Sequence, residues 1–347
     1  MAAPLSAVRA GFRVRQRPSR RSRPVDVIVV GGANTDYTVR GPRLPRRNDE
    51  VQGSEFLEAS GGKGLNQAVA AARLGARAGL VACVGTDQRA HGILKQLARE
   101  RVDARHVIRD AVAITGATVL HVDQSGHKQT MNAPGANLCL GVLDIRRAAA
   151  ALRAARVLVA QLEPPLAAVV EAVRIAKAAG VPVVLDAGPA RPLPHALLRG
   201  VTILRANAEE AERLTGVRVS GRASARRAAE ALLDHGVGVV AVEAGERGDL
   251  IVWRDGEHWL PHIDVPAVDA TGAGDAFTAA LAVQLIEGRT PAEAGALASA
   301  AAALTTTRLG ALPALPRRDE VLSLLERLGR RPGARRGPGR ATRPAHA

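Results

Sequence analysis

Residues 25–32 read VDVIVVGG, a nearly continuous apolar run that ends in two glycines. Such a run predicts a strand that is buried on both faces, as strands are in parallel sheets. Similar runs recur at residues 78–84, 156–162, 181–186, 201–204 and 237–242. Together they predict the strands of one central sheet.

Alanine-rich segments with helical periodicity separate these strands, at residues 65–74, 91–101, 145–155, 166–179, 208–214 and 223–234. Alternating strands and helices predict βαβ units, and hence a mostly parallel sheet with helices on both faces. Three more helices are expected at residues 274–286, 292–306 and 318–328, and a hairpin at residues 250–260. The sequence therefore predicts a three-layer α/β/α fold.

Two segments depart from this alternation, residues 37–60 and residues 112–134. Both are richer in polar and β-branched residues, and Gln124-Ser125-Gly126 in the second is typical of a turn. We expect antiparallel strands there, outside the main sheet, that form a small lid.

The net charge of +15 is concentrated at the two ends of the chain. Residues 1–24 and 327–347 each carry seven arginines and no acid, which leaves a net charge of +1 for residues 25–326. A basic groove for nucleic acid is therefore not expected in the folded part. Arg, Pro and Gly dominate both ends, so we expect basic disordered tails at residues 1–24 and 329–347 around one folded domain, residues 25–328.

Cysteine content and hydropathy both point to a cytoplasmic protein. Cys83 and Cys139 are too few for a disulfide framework and lack the spacing of metal ligands. No apolar run is long enough to cross a bilayer, so no membrane association is expected.

The most specific segment is residues 268–277, VDATGAGDAF. Its small residues predict a tight turn that opens an apolar helix, and the first N–H groups of a helix are unpaired and attract anions. Gly272, Ala273 and Gly274 would let a phosphate approach these groups closely, as an anion hole. Asp275 lies in the same first turn, where it either stabilises the helix dipole or acts in catalysis. The two glycines and the nearby Asp269 favour catalysis.

This segment resembles the C-terminal signature of the ribokinase (PfkB) family of carbohydrate kinases. The second family signature is matched by residues 60–68, SGGKGLNQA, and the resemblance extends over residues 25–328. It implies a ribokinase-like fold whose lid, residues 36–60 and 112–133, closes over a sugar and pairs with the lid of a second subunit in a homodimer. It also implies in-line transfer of the γ-phosphoryl group of ATP, with Asp275 as the base.

Within the family, the chain is most similar to the kinases that act on ribose, so the expected reaction converts D-ribose and ATP to ribose 5-phosphate and ADP. The resemblance implies that the sugar is bound by Asn34, Asp36, Gly61, Gly62, Lys63, Asn66, Glu163 and Asp275. A pentose is a ring of hydroxyl groups, which Asp, Asn and Glu side chains can hold through paired hydrogen bonds.

The resemblance also implies sites for ATP and magnesium. Asn207 and Glu210 match a family motif that organises Mg²⁺ through water, although their spacing is also that of a helix capping box. The implied ATP-binding residues are Asn207, Glu243, Gly245, Gly248, Gly274 and Ser299.

A potassium site beside the anion hole is implied as well. The matching positions, several of them acting through backbone carbonyl groups, are Asp269, Thr271, Thr305, Arg308, Gly310 and Ala314.

Three positions depart from the family pattern. Glu243 replaces a threonine near the ATP phosphates, so we expect it to point away from them or to pair with Arg247. Ala314 lacks a serine hydroxyl that often serves the potassium ion. Ser299 stands where an adenine-contacting His or Asn is common.

Other functions stay open on the sequence. One is a sister kinase acting on deoxyribose, another sugar or a nucleoside, and another is a catalytically idle regulator that binds a sugar or nucleotide. The intact Asp275 and anion hole disfavour the regulator. A dinucleotide-dependent dehydrogenase is disfavoured because residues 31–34, GGAN, lack the G-x-G-x-x-G turn.

Overall fold

A nine-stranded sheet forms the centre of the protein in the computed structural model, which describes residues 25–245 and 247–329. The predicted tail of residues 1–24, and all of the second tail except Gly329, lie outside these residues. In chain order the strands are β1 (Val27–Val30), β2 (Asn34–Arg40), β3 (Glu55–Gly61), β4 (Ala78–Val84), β5 (Asp103–Arg109), β6 (Gly116–Val122), β7 (Lys128–Ala133), β8 (Val157–Ala160), β9 (Val183–Asp186), β10 (Ile203–Ala206), β11 (Val239–Glu243), β12 (Gly248–Trp253) and β13 (Gly256–Pro261).

Helices connect most of these strands, and a short 3₁₀ turn spans Gly135–Cys139. In chain order the helices are α1 (Lys63–Arg73), α2 (Gln88–Arg99), α3 (Val142–Arg147), α4 (Ala149–Ala154), α5 (Leu166–Ala178), α6 (His195–Leu198), α7 (Ala208–Thr215), α8 (Arg222–Asp234), α9 (Ala273–Ile286), α10 (Pro291–Thr305), α11 (Ala311–Ala314) and α12 (Arg318–Gly329). The helix predicted at residues 145–155 is instead two short helices, because Ala148 between them has ψ 0° rather than a helical value. No helix of the described residues is long and apolar enough to span a membrane.

The central sheet has the strand order β13-β12-β11-β10-β9-β8-β1-β4-β5. All strands from β11 to β5 run parallel, and the predicted hairpin of β12 and β13 extends the sheet in antiparallel fashion. Strand β5 was not predicted. It reads DARHVIR and lies at the sheet edge, partly exposed, so it lacks the continuous apolar run of a central strand.

Two hydrophobic cores lie on opposite faces of this sheet. Along β1, Val27 and Val29 face one core while Ile28 and Val30 face the other, as the two-residue period of a strand requires. Helices α1, α2, α9, α10 and α12 cover the first face, and α3 to α8 cover the second. The predicted three-layer α/β/α fold is confirmed.

The second sheet is the lid, with strand order β3-β2-β6-β7. The expectation of antiparallel strands was wrong for one pair, since β2 and β6 run parallel. Both strands start at the same edge of the central sheet, because β2 follows β1 and β6 follows β5, and they therefore leave it side by side in the same direction. At the lid tip, a Cβ built on Gly126 would lie 3.4 Å from the carbonyl oxygen of Val268, so the tip reaches the loop before α9.

Candidate active site

Polar side chains gather where the parallel strands end. Glu163 follows β8, Asp186 ends β9, Asn207 follows β10 and Glu243 ends β11. The carboxyl ends of parallel strands meet at one edge of a sheet, which is where α/β proteins bind their ligands. The lid leaves the sheet at this same edge, so it encloses the space above these residues.

The predicted anion hole is formed by the turn into α9. Gly272 has φ +85°, in the left-handed region, and a Cβ there would lie 2.8 Å from that of Ala311, so the position requires glycine. Helix α9 starts at Ala273, and its first-turn N–H groups have no acceptor within the helix. The Ala273 N–H makes a long bond of 3.4 Å to the carbonyl oxygen of Ala270, so it is less available to a phosphate than the N–H groups that follow.

Asp275 lies buried beside this hole, held by two amide groups from α1. Its Oδ2 accepts a hydrogen bond of 2.9 Å from Asn66 Nδ2, and its Oδ1 accepts one of 3.0 Å from Gln67 Nε2. Burial raises the pKa of Asp275, and the nearby Lys63 ammonium opposes the rise. The two amides fix the carboxylate by donating hydrogen bonds without transferring a proton to it, so it stays able to act as a general base.

Gln67 and Asp186 extend this network, although neither was predicted as a site residue. Gln67 Nε2 also donates to Asp186 Oδ2, at 3.1 Å, so one amide group bridges two buried carboxylates. The signal for Gln67 was its place within residues 60–68. Asp186 had no comparable signal, because it simply ends an apolar strand.

Lys63 was predicted to contact the sugar, and its two nitrogen atoms have other partners here. The ammonium lies 3.6 Å from Asp186 Oδ1, and the backbone N–H donates to Glu163 Oε2 at 2.9 Å. Its positive charge therefore lies against the buried carboxylates, and a direct sugar contact stays a prediction.

Two acceptor atoms on the sugar side lack a partner among the described residues, Asp36 Oδ1 and Asn66 Oδ1. Both are buried, and buried acceptors are costly unless a ligand or water satisfies them. A Cβ on Gly61 would lie 1.9 Å from Asp36 Oδ2, so only glycine leaves room for this carboxylate. Burial raises the pKa of Asp36 to about 7 and that of Glu163 to about 7.

The amide of Asn34 joins lid strands β2 and β6 to the 3₁₀ turn that follows the lid. Its Nδ2 donates to Thr118 Oγ1 at 3.2 Å, and its Oδ1 accepts from Asn137 Nδ2 at 2.7 Å. Asn137 in turn accepts from the Ala33 N–H at 2.9 Å. These bonds fix the base of the lid, and the predicted sugar contacts of Asn34 and of Gly62, the N-cap of α1, stay predictions.

On the nucleotide side, Asn207 and Glu210 form the capping box that their spacing predicts. Asn207 Oδ1 accepts from the Glu210 N–H at 2.8 Å, and Glu210 Oε2 accepts from the Asn207 N–H at 2.8 Å. This cap starts α7 at the edge of the sheet, so both side chains stay beside the site while they serve the helix.

Of the two arrangements expected for Glu243, pairing with Arg247 is replaced by an ion pair with Arg205. Glu243 Oε2 lies 3.2 Å from Nη2 of Arg205, not beside Arg247. Arg205 is on β10, the strand next to β11, so its side chain reaches the same edge, whereas Arg247 is exposed in the turn beyond. Nothing in the sequence marked Arg205 as a site residue.

Three more residues were predicted to contact the nucleotide, two at the turn between β11 and β12 and one on α10. Gly245, with φ +89°, and Gly248 flank the turn between β11 and β12. Ser299 lies on α10, and its buried hydroxyl oxygen has no partner among the described residues. A free buried hydroxyl fits a contact with a nucleotide base, which stays a prediction.

Asp269 ties together the two loops that carry the predicted potassium ligands. Its Oδ1 accepts from Thr271 N at 2.9 Å, and its Oδ2 accepts from Gly310 N at 2.8 Å. The Thr305 hydroxyl donates to the carbonyl oxygen of Ala301, which leaves its own oxygen lone pairs for an ion. The Arg308 guanidinium pairs with Glu320, so only the backbone carbonyl group of Arg308 remains. Ala314 is buried nearby.

No three His, Cys, Asp or Glu side chains come together as a metal cluster in the described part of the chain. A cation beside Asp269 would therefore depend on carbonyl and hydroxyl oxygens, which are ligands that suit a hard cation.

This chain is similar in sequence to a known family of kinases. The model of the pfkB family of carbohydrate kinases matches residues 25–318. A ribokinase of Haemophilus influenzae is 35% identical over 300 residues, which cover 86% of this chain and 98% of the relative. A deoxyribokinase of Salmonella typhi is 31% identical over 306 residues, which cover 87% of this chain and all of the relative.

A solved structure shows the same fold. The structure of Arabidopsis thaliana ribokinase complexed with ribose and ATP superposes with a TM-score of 0.79 at 31% identity. The match covers 87% of this chain and 99% of that protein, and so includes both the central sheet and the lid.

Proposed function

Because the chain belongs to the PfkB family of carbohydrate kinases, we propose that it transfers the γ-phosphoryl group of ATP to O5 of D-ribose, giving ribose 5-phosphate and ADP. One observation carries the proposal. Asp275 stands in the first turn of α9, beside the anion hole, and one of the two amides that hold it belongs to Asn66, whose own oxygen has no partner among the described residues. The carboxylate thus lies between a phosphate site and a hydroxyl-binding site.

The side chains on the sugar side bind and orient the substrate. Asp36 Oδ1 and Asn66 Oδ1 accept hydrogen bonds from the sugar hydroxyl groups, which satisfies two buried acceptors. This places the primary hydroxyl against Asp275. Orientation of this kind removes much of the entropic cost of bringing two reactants together.

Asp275 then accepts the proton of O5 as the oxygen attacks the γ-phosphorus and the bond to the leaving ADP oxygen breaks. The first-turn N–H groups of α9 stabilise the negative charge on the transferring group. Gln67 and Asn66 hold the carboxylate in line throughout. The lid excludes water, and so protects ATP from hydrolysis.

Magnesium and potassium complete the site that we propose. Asn207 and Glu210 would hold Mg²⁺ through water, and the ion supplies charge neutralisation on the ATP phosphates when bound. The loops joined by Asp269 would hold K⁺ through their carbonyl and hydroxyl oxygens, and that ion would keep the anion hole in shape.

The proposed homodimer uses the outer face of the lid. Phe56, Val119 and Met131 are 66%, 42% and 78% exposed, and the strand register places all three on the face opposite Asp36. An exposed apolar face of this kind marks an interaction surface. The two cysteines, Cys83 buried and Cys139 exposed, are both free, which fits the reducing cytoplasm that we propose for the protein.

A second candidate is phosphorylation of deoxyribose, which the Salmonella typhi relative supports. The two sugars differ by one hydroxyl group, and a site built to bind that group discriminates strongly against its absence. The test is a panel of D-ribose, 2-deoxy-D-ribose, hexoses and nucleosides, assayed for kcat/KM with ATP and Mg²⁺. We expect D-ribose to give the highest value. A higher value for deoxyribose supports the second candidate, and no turnover of any member contradicts both.

A further inference from the structure

Arg205 extends from β10 over the start of α9. Its side chain is 11% exposed. A Cβ built on Gly274 would lie 2.8 Å from Nη1 of Arg205 and 2.9 Å from Cζ. The guanidinium group therefore packs against the backbone of the anion hole, and a phosphate bound to the first-turn N–H groups would lie beside it.

Four carboxylates surround this guanidinium, and the buried Asp186 is one of them. Glu243 Oε2 lies 3.2 Å from Nη2, Glu210 Oε2 lies 3.6 Å from Nη1, and Asp249 faces Glu243 directly across the β11–β12 pair. Like charges opposite one another on neighbouring strands destabilise a sheet. Arg205 offsets this repulsion, and without it the nucleotide side would present uncompensated negative charge to ATP.

The two ion pairs of Arg205 differ in exposure. The Glu210 side chain is 9% exposed and is fixed by the capping box, whereas the Glu243 side chain is 48% exposed. Exposed ion pairs contribute little stability, so the bond to Glu243 breaks at low cost. An arginine offers five N–H donors in a planar fork that matches the oxygens of a phosphate group.

We propose that Arg205 is a further ligand of the terminal phosphates of ATP, and that Glu243 holds its guanidinium over the anion hole until ATP displaces the carboxylate. Arg205 then binds the phosphates with Nη2 and keeps its contact with Glu210 through Nη1. The inference rests on the proposed function, because it requires ATP as the phosphoryl donor. It explains why an acid is tolerated at position 243.

Two variants that each replace a charged side chain by glutamine test whether ATP displaces Glu243 from Arg205, because they should have opposite effects. Arg205→Gln should weaken the binding of ATP by about 10- to 100-fold, the range for a lost hydrogen bond to a charged group. Glu243→Gln should strengthen ATP binding by about threefold, because a competing carboxylate has been removed. Titration calorimetry with MgATP and with AMP measures both, and the affinity for AMP, which lacks the terminal phosphates, should change less than twofold in either variant.

Arg213→Gln is the matched control, since Arg213 forms an exposed ion pair with Glu209 on α7, outside the site. If Arg205→Gln does not fold, Arg205→Lys takes its place, because it keeps the charge and loses the fork, and it should weaken MgATP binding by about 10-fold.

Equal affinities of Arg205→Gln and Arg213→Gln for MgATP would overturn the proposal, as would weaker MgATP binding in Glu243→Gln. A wild-type enzyme that binds MgATP but phosphorylates no sugar would contradict the proposed function instead.

Discussion

The sugar side and the nucleotide side of the site are built in different ways. On the sugar side, amide groups of α1 hold carboxylates, and buried acceptor atoms are left for a ligand. On the nucleotide side, one arginine balances four carboxylates that come from four different elements. Asp275 lies between the two, so specificity for the sugar and affinity for ATP can be changed separately.

The largest effect is expected for Asp275→Asn. The amide has nearly the shape of the carboxylate, so both substrates should still bind, but it cannot take the hydroxyl proton. General-base catalysis is worth ~10²–10⁴ in rate, and kcat should fall by that factor with little change in either KM.

Asp319→Asn provides the control for Asp275→Asn, because Asp319 is an exposed acid in the first turn of α12. If Asp275 served only the helix dipole, both variants would lose about 0.3–1 kcal/mol of stability and stay active. Measuring kcat and Tm on the same preparations separates the two roles. A fully active Asp275→Asn enzyme would remove the base from the mechanism.

Asp36→Asn should affect only the sugar side. It changes a carboxylate whose Oδ1 has no partner among the described residues, so the KM for ribose should rise by about 10- to 100-fold while the KM for ATP changes less than twofold. The exposed turn residue Asp255, changed to Asn, is the control. An equal rise in both KM values would show that the two sides are not independent.

The KM for ribose should also depend on pH, through the ionisation of Asp36. Asp36 has an ordinary pKa of 3.8 that burial raises to about 7, so it becomes a full acceptor only as pH rises through 7. The KM for ribose should therefore fall by about tenfold from pH 6 to pH 8. Asp36→Asn should flatten this dependence, and an unchanged slope in that variant would assign it to another group.

The stability of the sugar-free protein should fall as pH rises, whereas its affinity for ribose should increase. A carboxyl whose pKa is higher in the folded than in the unfolded state binds more protons when folded, so its contribution to stability is present below pH 3.8 and lost as pH rises through 7. Glu163, raised to about 7, adds to the same trend. Melting curves at pH 6 and pH 8, with and without ribose, measure this.

The grouping of side chains on the sugar side follows from the sequence more readily than the grouping on the nucleotide side, for a physical reason. Asp36, Asn66 and Asp275 belong to short contiguous motifs, and glycines next to them leave room for their side chains. Arg205 and Glu243 belong to different strands, and they meet only because β10 and β11 are neighbours in the sheet. A charge pair between separate elements leaves no pattern along the chain, so Arg247, the arginine nearest in sequence, was the wrong choice.

In the fold, too, features encoded by contiguous residues were predicted and features that depend on separate elements were not. Buried parallel strands such as β1 and β4 are continuous apolar runs and were predicted. The edge strand β5 and the parallel pairing of β2 with β6 were not, because an edge strand is only partly buried and pairing direction depends on where the lid leaves the sheet.

The smallest effect is expected for potassium. If the loops joined by Asp269 hold the ion, kcat with K⁺ should exceed kcat with a large organic cation by about fivefold at equal ionic strength, at the low end of coupling between sites. The effect should be modest because Ala314 offers no side-chain oxygen. A flat response across monovalent cations would show that the loops do not bind a functional ion.

The position of the phosphoryl group in the product tests the central claim most directly. Ribose labelled with ¹³C is incubated with the enzyme, ATP and Mg²⁺, and the product is examined by ¹³C and ³¹P NMR. If Asp275 takes the proton of O5 beside the anion hole, the phosphorus couples to C5 and the product is ribose 5-phosphate. Coupling to C1, or consumption of ATP without a phosphorylated sugar, would contradict the arrangement of sugar, base and phosphate proposed for this site.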